Sequence, residues 1–138
     1  MRSTYLFLML LFPALALLNS WWFARELKRF LAATPAVASA ADLERMKKVV
    51  GRQMYAALAQ ILLLAAAPVV FVVGLLHRQL HPSDVLFIIL PSAVVLLLSL
   101  SVKRIEAAVR GLDAADDELR RQRDAIVRTW LGKPLPDW

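Results

Sequence analysis

Three long stretches of this sequence contain no charged side chain, and this feature constrains the fold more than any other. They cover residues 5–23, 54–76 and 85–102, with lengths of 19, 23 and 18 residues. An α-helix rises about 1.5 Å per residue, so each stretch spans roughly the 30 Å hydrocarbon thickness of a bilayer. A helix of a soluble domain carries charge along its outer face, which these stretches lack. The sequence therefore predicts an all-α integral membrane protein with three transmembrane helices.

Composition and motifs argue against catalysis. Hydrophobic residues make up 59% of the 138, which leaves too little polar surface for a soluble domain. There is no cysteine, which excludes disulfides, thiolate nucleophiles and cysteine-bound metal centres. The sequence contains no P-loop, nucleotide-binding glycine fingerprint or serine elbow, and the spans carry none of the ionisable groups that ion-coupled transporters use. We expect no enzyme activity and no cofactor.

The lysines and arginines predict the orientation of the spans. Of the 17 in the chain, one precedes the first span and one lies in residues 77–84, whereas seven lie in loop 25–53 and eight in the tail 103–138. Cytoplasmic segments carry an excess of these residues. We therefore expect the N-terminus outside, a short periplasmic hairpin at 77–84 and the C-terminus in the cytoplasm. The composition, rich in Ala, Leu and Arg, favours a bacterial inner membrane.

The N-terminal segment 1–24 has an alternative interpretation as a cleaved signal peptide. The sequence Ala38-Ser39-Ala40 resembles a cleavage site. It lies far beyond the apolar core, however, and cleavage there would export the basic loop. A retained first transmembrane helix is the interpretation that we adopt.

The basic loop 25–53 has the pattern of a membrane-interface segment. Ser39, followed by Asp42, resembles a helix-capping box and predicts a helix that continues into the second span. Aromatic rings favour the headgroup level, and neighbouring cations suit anionic phospholipids. The residues predicted at the lipid interface are Trp21, Trp22, Arg25, Lys28, Arg29, Lys47, Lys48 and Arg52.

The tail 103–138 is predicted to be an amphipathic cytoplasmic helix. Its apolar residues recur every seven positions, Gly111 interrupts it, and Asp113 is placed to cap its second part. The apolar stripe must be buried against another surface, and the first loop, another copy of the chain and a partner protein are all candidates. The terminal Trp138 follows a polar, proline-containing segment and has no local packing partner. It would insert into a partner's pocket or return to the membrane interface.

We expect the chain to be a non-catalytic accessory or assembly subunit of a larger membrane complex. It would act through helix packing in the membrane and through the tail. Small and hydroxyl-bearing or amide side chains promote packing between transmembrane helices, either within this chain or against another subunit. The predicted docking residues are Gln60, Ser92, Ser99, Leu112, Leu119, Ile126, Trp130 and Trp138.

The hairpin contains the only candidate metal ligands, His77, His81 and Asp84. Two histidines four residues apart share one face of a helix, which suits a metal ion. Pro82 interrupts a helix there, and Ser83 or Asp84 is equally suited to cap the third span.

Self-assembly into a pore is the alternative function. Three spans with an external N-terminus and a charged internal tail resemble phage class I holins in topology alone, with no shared motif. The long first loop departs from that compact form.

Overall fold

The computed structural model describes residues 1–138 and is entirely helical. A single isolated bridge joins Val37 to Ala114, and no β-strand forms. A short 3-10 helix, Pro82–Val85, precedes α3. The four α-helices are α1, Arg2–Ala33; α2, Ala40–Leu76; α3, Leu86–Arg110; and α4, Asp117–Gly132.

Three of these helices are long and apolar enough to cross a membrane: α1, α2, and α3 together with its preceding 3-10 turn. The prediction of an all-helical chain with three such helices is confirmed. Each helix extends beyond the uncharged stretch that revealed it, because α1 has 32 residues and α2 has 37. The charged continuations consist largely of Ala, Leu, Lys, Arg and Glu, which favour helix.

Helix α2 begins where the capping pattern placed it, one residue after Ser39. The Ser39 hydroxyl accepts a hydrogen bond from the Asp42 N–H at 3.4 Å. The Asp42 carboxylate accepts from the Ala38 N–H at 3.0 Å instead of returning to Ser39 itself. The bond to Ser39 satisfies one of the N–H groups that a helix start leaves without partners, and the bond from Ala38 ties the preceding segment to the first turn.

The second helix of the tail begins later than predicted. Helix α3 ends at Arg110, but the cap of α4 is Asp116, whose carboxylate accepts from the Leu119 N–H at 2.8 Å. Asp113 is not a cap, because α4 begins only at Asp117. The Asp113 carbonyl instead accepts a hydrogen bond from the Val37 N–H at 2.7 Å. The extended backbone that pairs with Val37 delays the start of α4.

The chain forms two compact units. The first, which we call the span unit, comprises Met1–Trp21 and Ala59–Ser101, and the second, the basic unit, comprises Trp22–Leu58 and Val102–Trp138. The basic unit holds 15 of the 17 lysines and arginines.

In the span unit, a tight turn connects α2 to the 3-10 helix. Arg78 adopts a left-handed conformation with φ of 56°, and the N–H groups of Gln79 and Leu80 both bond to the Gly74 carbonyl, at 2.9 and 3.3 Å. Leu80 folds back against Gly74, where a Cβ atom would overlap the leucine side chain. Glycine is therefore required at position 74 for this hairpin. Met9, Ala67, Leu80 and Ile88 form the buried core of the span unit.

The basic unit has its own core, to which both halves of the unit contribute. Leu27 and Phe30 come from α1, Met46 and Val50 from α2, and Ile126 from α4, and all five are buried. The apolar stripe of the tail is thus covered by the first loop and the helices that flank it. The sequence allowed the first loop, another copy or a partner protein to cover this stripe, and in the structure the first loop and its flanking helices do so.

Candidate functional site

Asp84 is the most constrained polar group of the hairpin. It is 4% exposed, and each of its carboxylate oxygens has a partner. Oδ1 accepts from Arg2 Nη2 at 3.0 Å, and Oδ2 accepts from the His81 N–H at 2.8 Å. The His81 N–H, and secondarily Arg2, hold the pKa of Asp84 below its ordinary value, against the opposing effect of burial. Asp84 therefore caps the 3-10 helix and anchors the N-terminal end of α1.

The three candidate metal ligands of the hairpin do not form a ligand set. His77 Nδ1 shares a hydrogen bond of 2.8 Å with the Tyr5 hydroxyl, and the two rings meet edge to face. Both Asp84 oxygens are already bonded, and no group of three potential ligands is close enough to hold a metal ion. The other interpretation, with Ser83 or Asp84 as the N-cap of the third span, is not what the structure has, because the N-cap is His81 and it precedes a 3-10 helix. Asp84 lies inside that 3-10 helix and accepts a hydrogen bond from the His81 N–H. The contacts of His77 and Asp84 join the first span to the hairpin.

Gln60, one of the predicted docking residues, bonds within the chain. Its Oε1 accepts from Asn19 Nδ2 at 2.9 Å, and its Nε2 donates to Ser20 Oγ at 3.0 Å. Sequence analysis did not identify Asn19 and Ser20. The signal for them was present, since Asn19 is the one amide in the first uncharged stretch and Gln60 is the one amide in the second.

The two predicted serines of α3 lie on one face of the helix and are half-buried. The Ser99 hydroxyl donates to the Val95 carbonyl of the same helix at 2.9 Å. This bond satisfies the hydroxyl without a second helix. Ser92 lies seven residues earlier, on the face that also carries the buried Val95 near its centre.

The predicted interface residues lie on exposed surface. Trp21 and Trp22 are 54% and 59% exposed. The side chains of five predicted cations are also exposed, namely Arg25, Lys28, Arg29, Lys48 and Arg52. Lys47 is partly buried and forms an ion pair with Glu44. Within the basic unit, Arg52 forms an ion pair with Glu26.

The predicted docking residues of the tail face inward. Leu112 and Ile126 are buried, and Leu119 and Trp130 pack against the same core. The Arg110 guanidinium lies 5.6 Å from the centre of the Trp130 ring, a favourable cation–π distance. The outward surface of α4 instead carries charged residues of both signs.

Trp138, for which the sequence offers no local packing partner, lies against a distant part of the chain. After α4 the chain turns back, and Pro136 and Trp138 lie over Gly51 of α2. Asp137 pairs with Lys133, whose hydrogen bond lowers the pKa of the Asp137 carboxyl. Trp138 remains 45% exposed and, with Lys47 and Ile126, borders an open pocket of about 270 Å³. The reversal was missed because two prolines in the segment favour extended backbone, which says nothing about direction.

The span unit has a larger apolar crevice of about 350 Å³. Helix α1 contributes Leu10, and most of the other lining residues belong to the start of α3. Those residues are Ser83, Leu86, Phe87, Leu90 and Pro91. The crevice offers shape and apolar contact but no ionisable group for chemistry.

No known protein family, curated protein or solved structure gives a match to this chain.

Proposed function

We propose that this chain is a multi-pass protein of the bacterial inner membrane, with its N-terminus and the α2–α3 hairpin outside and its basic unit in the cytoplasm. The distribution of charge supports this orientation. Fifteen lysines and arginines belong to the basic unit, whereas Arg2 and Arg78 are the two in the span unit. Exporting the basic unit would oppose the charge bias that orients membrane proteins.

Within that membrane the chain acts as a non-catalytic accessory or assembly subunit of a larger complex. The observation that carries this proposal is how the in-span polar groups are used. Gln60 bonds to both Asn19 and Ser20 within the chain. The exposed surface of the spans is made largely of apolar side chains, which suit packing. Helices in lipid associate by such packing, and it needs no catalytic group.

The alternative, a self-assembling pore, makes a different demand on the spans. An aqueous pore requires a polar stripe that faces water along the length of a helix. The amide of Gln60 bonds to α1, and the Ser99 hydroxyl bonds to its own helix. This use of the polar groups favours the accessory role.

The apolar crevice of the span unit is the surface that we assign to a partner's transmembrane helix. Phe87 and Leu90 are 41% and 65% exposed, and they line the crevice together with Pro91 and with Leu10 of α1. The inward stripe of the tail is already covered, so a cytoplasmic contact would use the charged outer surface of α4.

Purification of the tagged full chain in mild detergent tests the proposal. We expect stoichiometric recovery of foreign membrane subunits, and a reduction of about fivefold or more with Leu90→Trp, which fills the crevice. Leu96→Trp is the matched control, because Leu96 is a similarly exposed leucine on another face of α3. Recovery of a pure homo-oligomer, together with loss of membrane potential on expression, would overturn the accessory role in favour of the pore.

A further inference from the structure

Two helices of the basic unit carry the same pattern of exposed residues in opposite directions. On α1, Trp22 is followed by Arg25 three residues later and Arg29 four residues after that. On α2, Tyr55 is preceded by Arg52 and then Lys48, at the same spacings. All six side chains are exposed. Spacings of three and four residues keep each set on one face of its helix, with the aromatic residue nearest the apolar span.

Two contacts show that the patterns lie at matching levels. Gln53 Nε2 donates to the Phe23 carbonyl at 3.2 Å, and Arg52 pairs with Glu26. On adjacent antiparallel helices, each step forward on one helix matches a step back on the other, because both rise about 1.5 Å per residue. Phe23 opposite Gln53 and Glu26 opposite Arg52 give registers that differ by two residues, and their mean places Trp22 level with Tyr55 to within one residue, about 1.5 Å.

The same register places Arg25 level with Arg52, and Arg29 level with Lys48. The surface consequently has three levels, each contributed by both helices: an aromatic pair, a first cation pair about 4.5 Å away along the helix axis and a second about 6 Å beyond it. We call these six residues the paired-cation surface. Its neighbouring acid, Glu26, is already paired with Arg52.

We propose that the paired-cation surface is a binding site for the phosphate headgroup of an anionic phospholipid. This inference rests on the proposed membrane location and adds a defined site to it. Trp and Tyr settle at the headgroup boundary, which sets the depth of the aromatic level. The cation pairs then lie one and two turns towards the aqueous side, where phosphate oxygens accept hydrogen bonds from guanidinium and ammonium groups.

Charge and chemistry favour a lipid as the occupant. Four cations and one paired acid leave the surface strongly positive, which complements a headgroup with net negative charge. The aromatic level also requires an occupant with apolar chains on one side and phosphate on the other. An acidic peptide or free phosphate would use the cations but leave Trp22 and Tyr55 without a role.

Native mass spectrometry of the full chain tests the site, with the protein taken from micelles that contain equal amounts of phosphatidylglycerol and phosphatidylcholine. We expect the wild-type chain to retain phosphatidylglycerol at least about fivefold more than phosphatidylcholine, by analogy with known basic lipid sites. The variant R25Q/R29Q/K48Q removes three cations but leaves the Arg52–Glu26 pair. Its preference should fall below about twofold, with phosphatidylcholine retention unchanged.

R120Q/R121Q/R128Q is the matched control, since it removes three exposed cations from α4 in the same unit. The control should keep the full preference, and an equal loss in both variants would overturn the site in favour of net charge. Displacement of phosphatidylglycerol by millimolar inorganic phosphate would overturn the lipid as occupant. The readout involves no partner subunit, so the lipid site and the accessory role succeed or fail separately.

Discussion

Gln60 on α2 accepts a hydrogen bond from Asn19 on α1 at 2.9 Å, and the same amide donates to Ser20 at 3.0 Å. In a hydrocarbon environment a polar side chain has no water to bond with, so the Gln60 amide depends on these two partners. The contact fixes the register of α1 against α2 in the span unit.

Gln60→Leu should therefore destabilise the span unit. Polar contacts between transmembrane helices contribute about 0.6 kcal/mol on average and up to about 1.7 kcal/mol. Since the substitution removes both hydrogen bonds of the Gln60 amide, we expect a loss near the upper value, measured by unfolding in mixed micelles. Ser99→Ala is the control, because its hydroxyl bonds to its own helix and its removal should change stability little. Equal effects of the two substitutions would contradict the role given to Gln60.

The Arg2–Asp84 pair should make stability dependent on acidity. The pKa of Asp84 is lowered in the folded chain, so its contribution is present at neutral pH and is lost as the pH falls through that lowered pKa. Asp84→Asn cannot ionise and should lack this dependence. The difference in Tm between wild type and D84N should be largest at pH 7 and shrink below about pH 4, the ordinary carboxyl range. A constant difference at all pH values would show that the pKa of Asp84 is the same in the folded and the unfolded chain.

Ile126→Ala tests the core of the basic unit. Ile126 is 3% exposed, and large-to-small substitutions at such sites cost about 2–5 kcal/mol. We expect faster hydrogen exchange across α4, measured by mass spectrometry on the full chain in detergent. Leu131→Ala removes an exposed side chain from the same helix and should leave exchange within error of wild type. If α4 were covered by a partner instead of by α1 and α2, I126A would change nothing in the purified chain.

The reversal of the C-terminal segment is testable at Gly51. A Cβ atom there would lie 3.8 Å from Pro136 and 3.9 Å from Trp138, which is ordinary contact, so Gly51→Ala should be tolerated. Gly51→Leu should displace Trp138. With 5-fluorotryptophan incorporated, and the Trp138 signal assigned by W138F, the 19F resonance should move to its solvent-exposed position in G51L but not in G51A. Identical spectra for the two variants would exclude this packing.

Local patterns predicted the elements, whereas contacts between distant segments required the structure. The uncharged stretches and the Ser39 cap are local signals, and both located helices correctly. The choice of Asp116 over Asp113 as a cap depends on the pairing of Asp113 with Val37, which lies 76 positions earlier. The residues around Asp113 in the sequence do not indicate that it pairs with Val37.

The site residues divide in the same way. The cations and aromatic residues near the spans were identifiable one by one, because each lies beside an apolar stretch. Their matching in pairs was not, since it depends on the register set by Gln53 and Phe23. The tail residues were identified as an apolar stripe, but the sequence could not choose among three covers. The structure assigns that stripe to the chain's own core.

The orientation of the spans is the central claim, and the absence of native cysteine makes its test direct. Single-cysteine variants S83C in the hairpin and Q122C on α4 both replace exposed residues. Each is expressed in bacterial cells and treated with a membrane-impermeant thiol reagent added from the periplasmic side. We predict that S83C is labelled in intact spheroplasts and that Q122C is labelled only after the membrane is broken. Labelling of Q122C with protection of S83C would invert the arrangement and contradict the account.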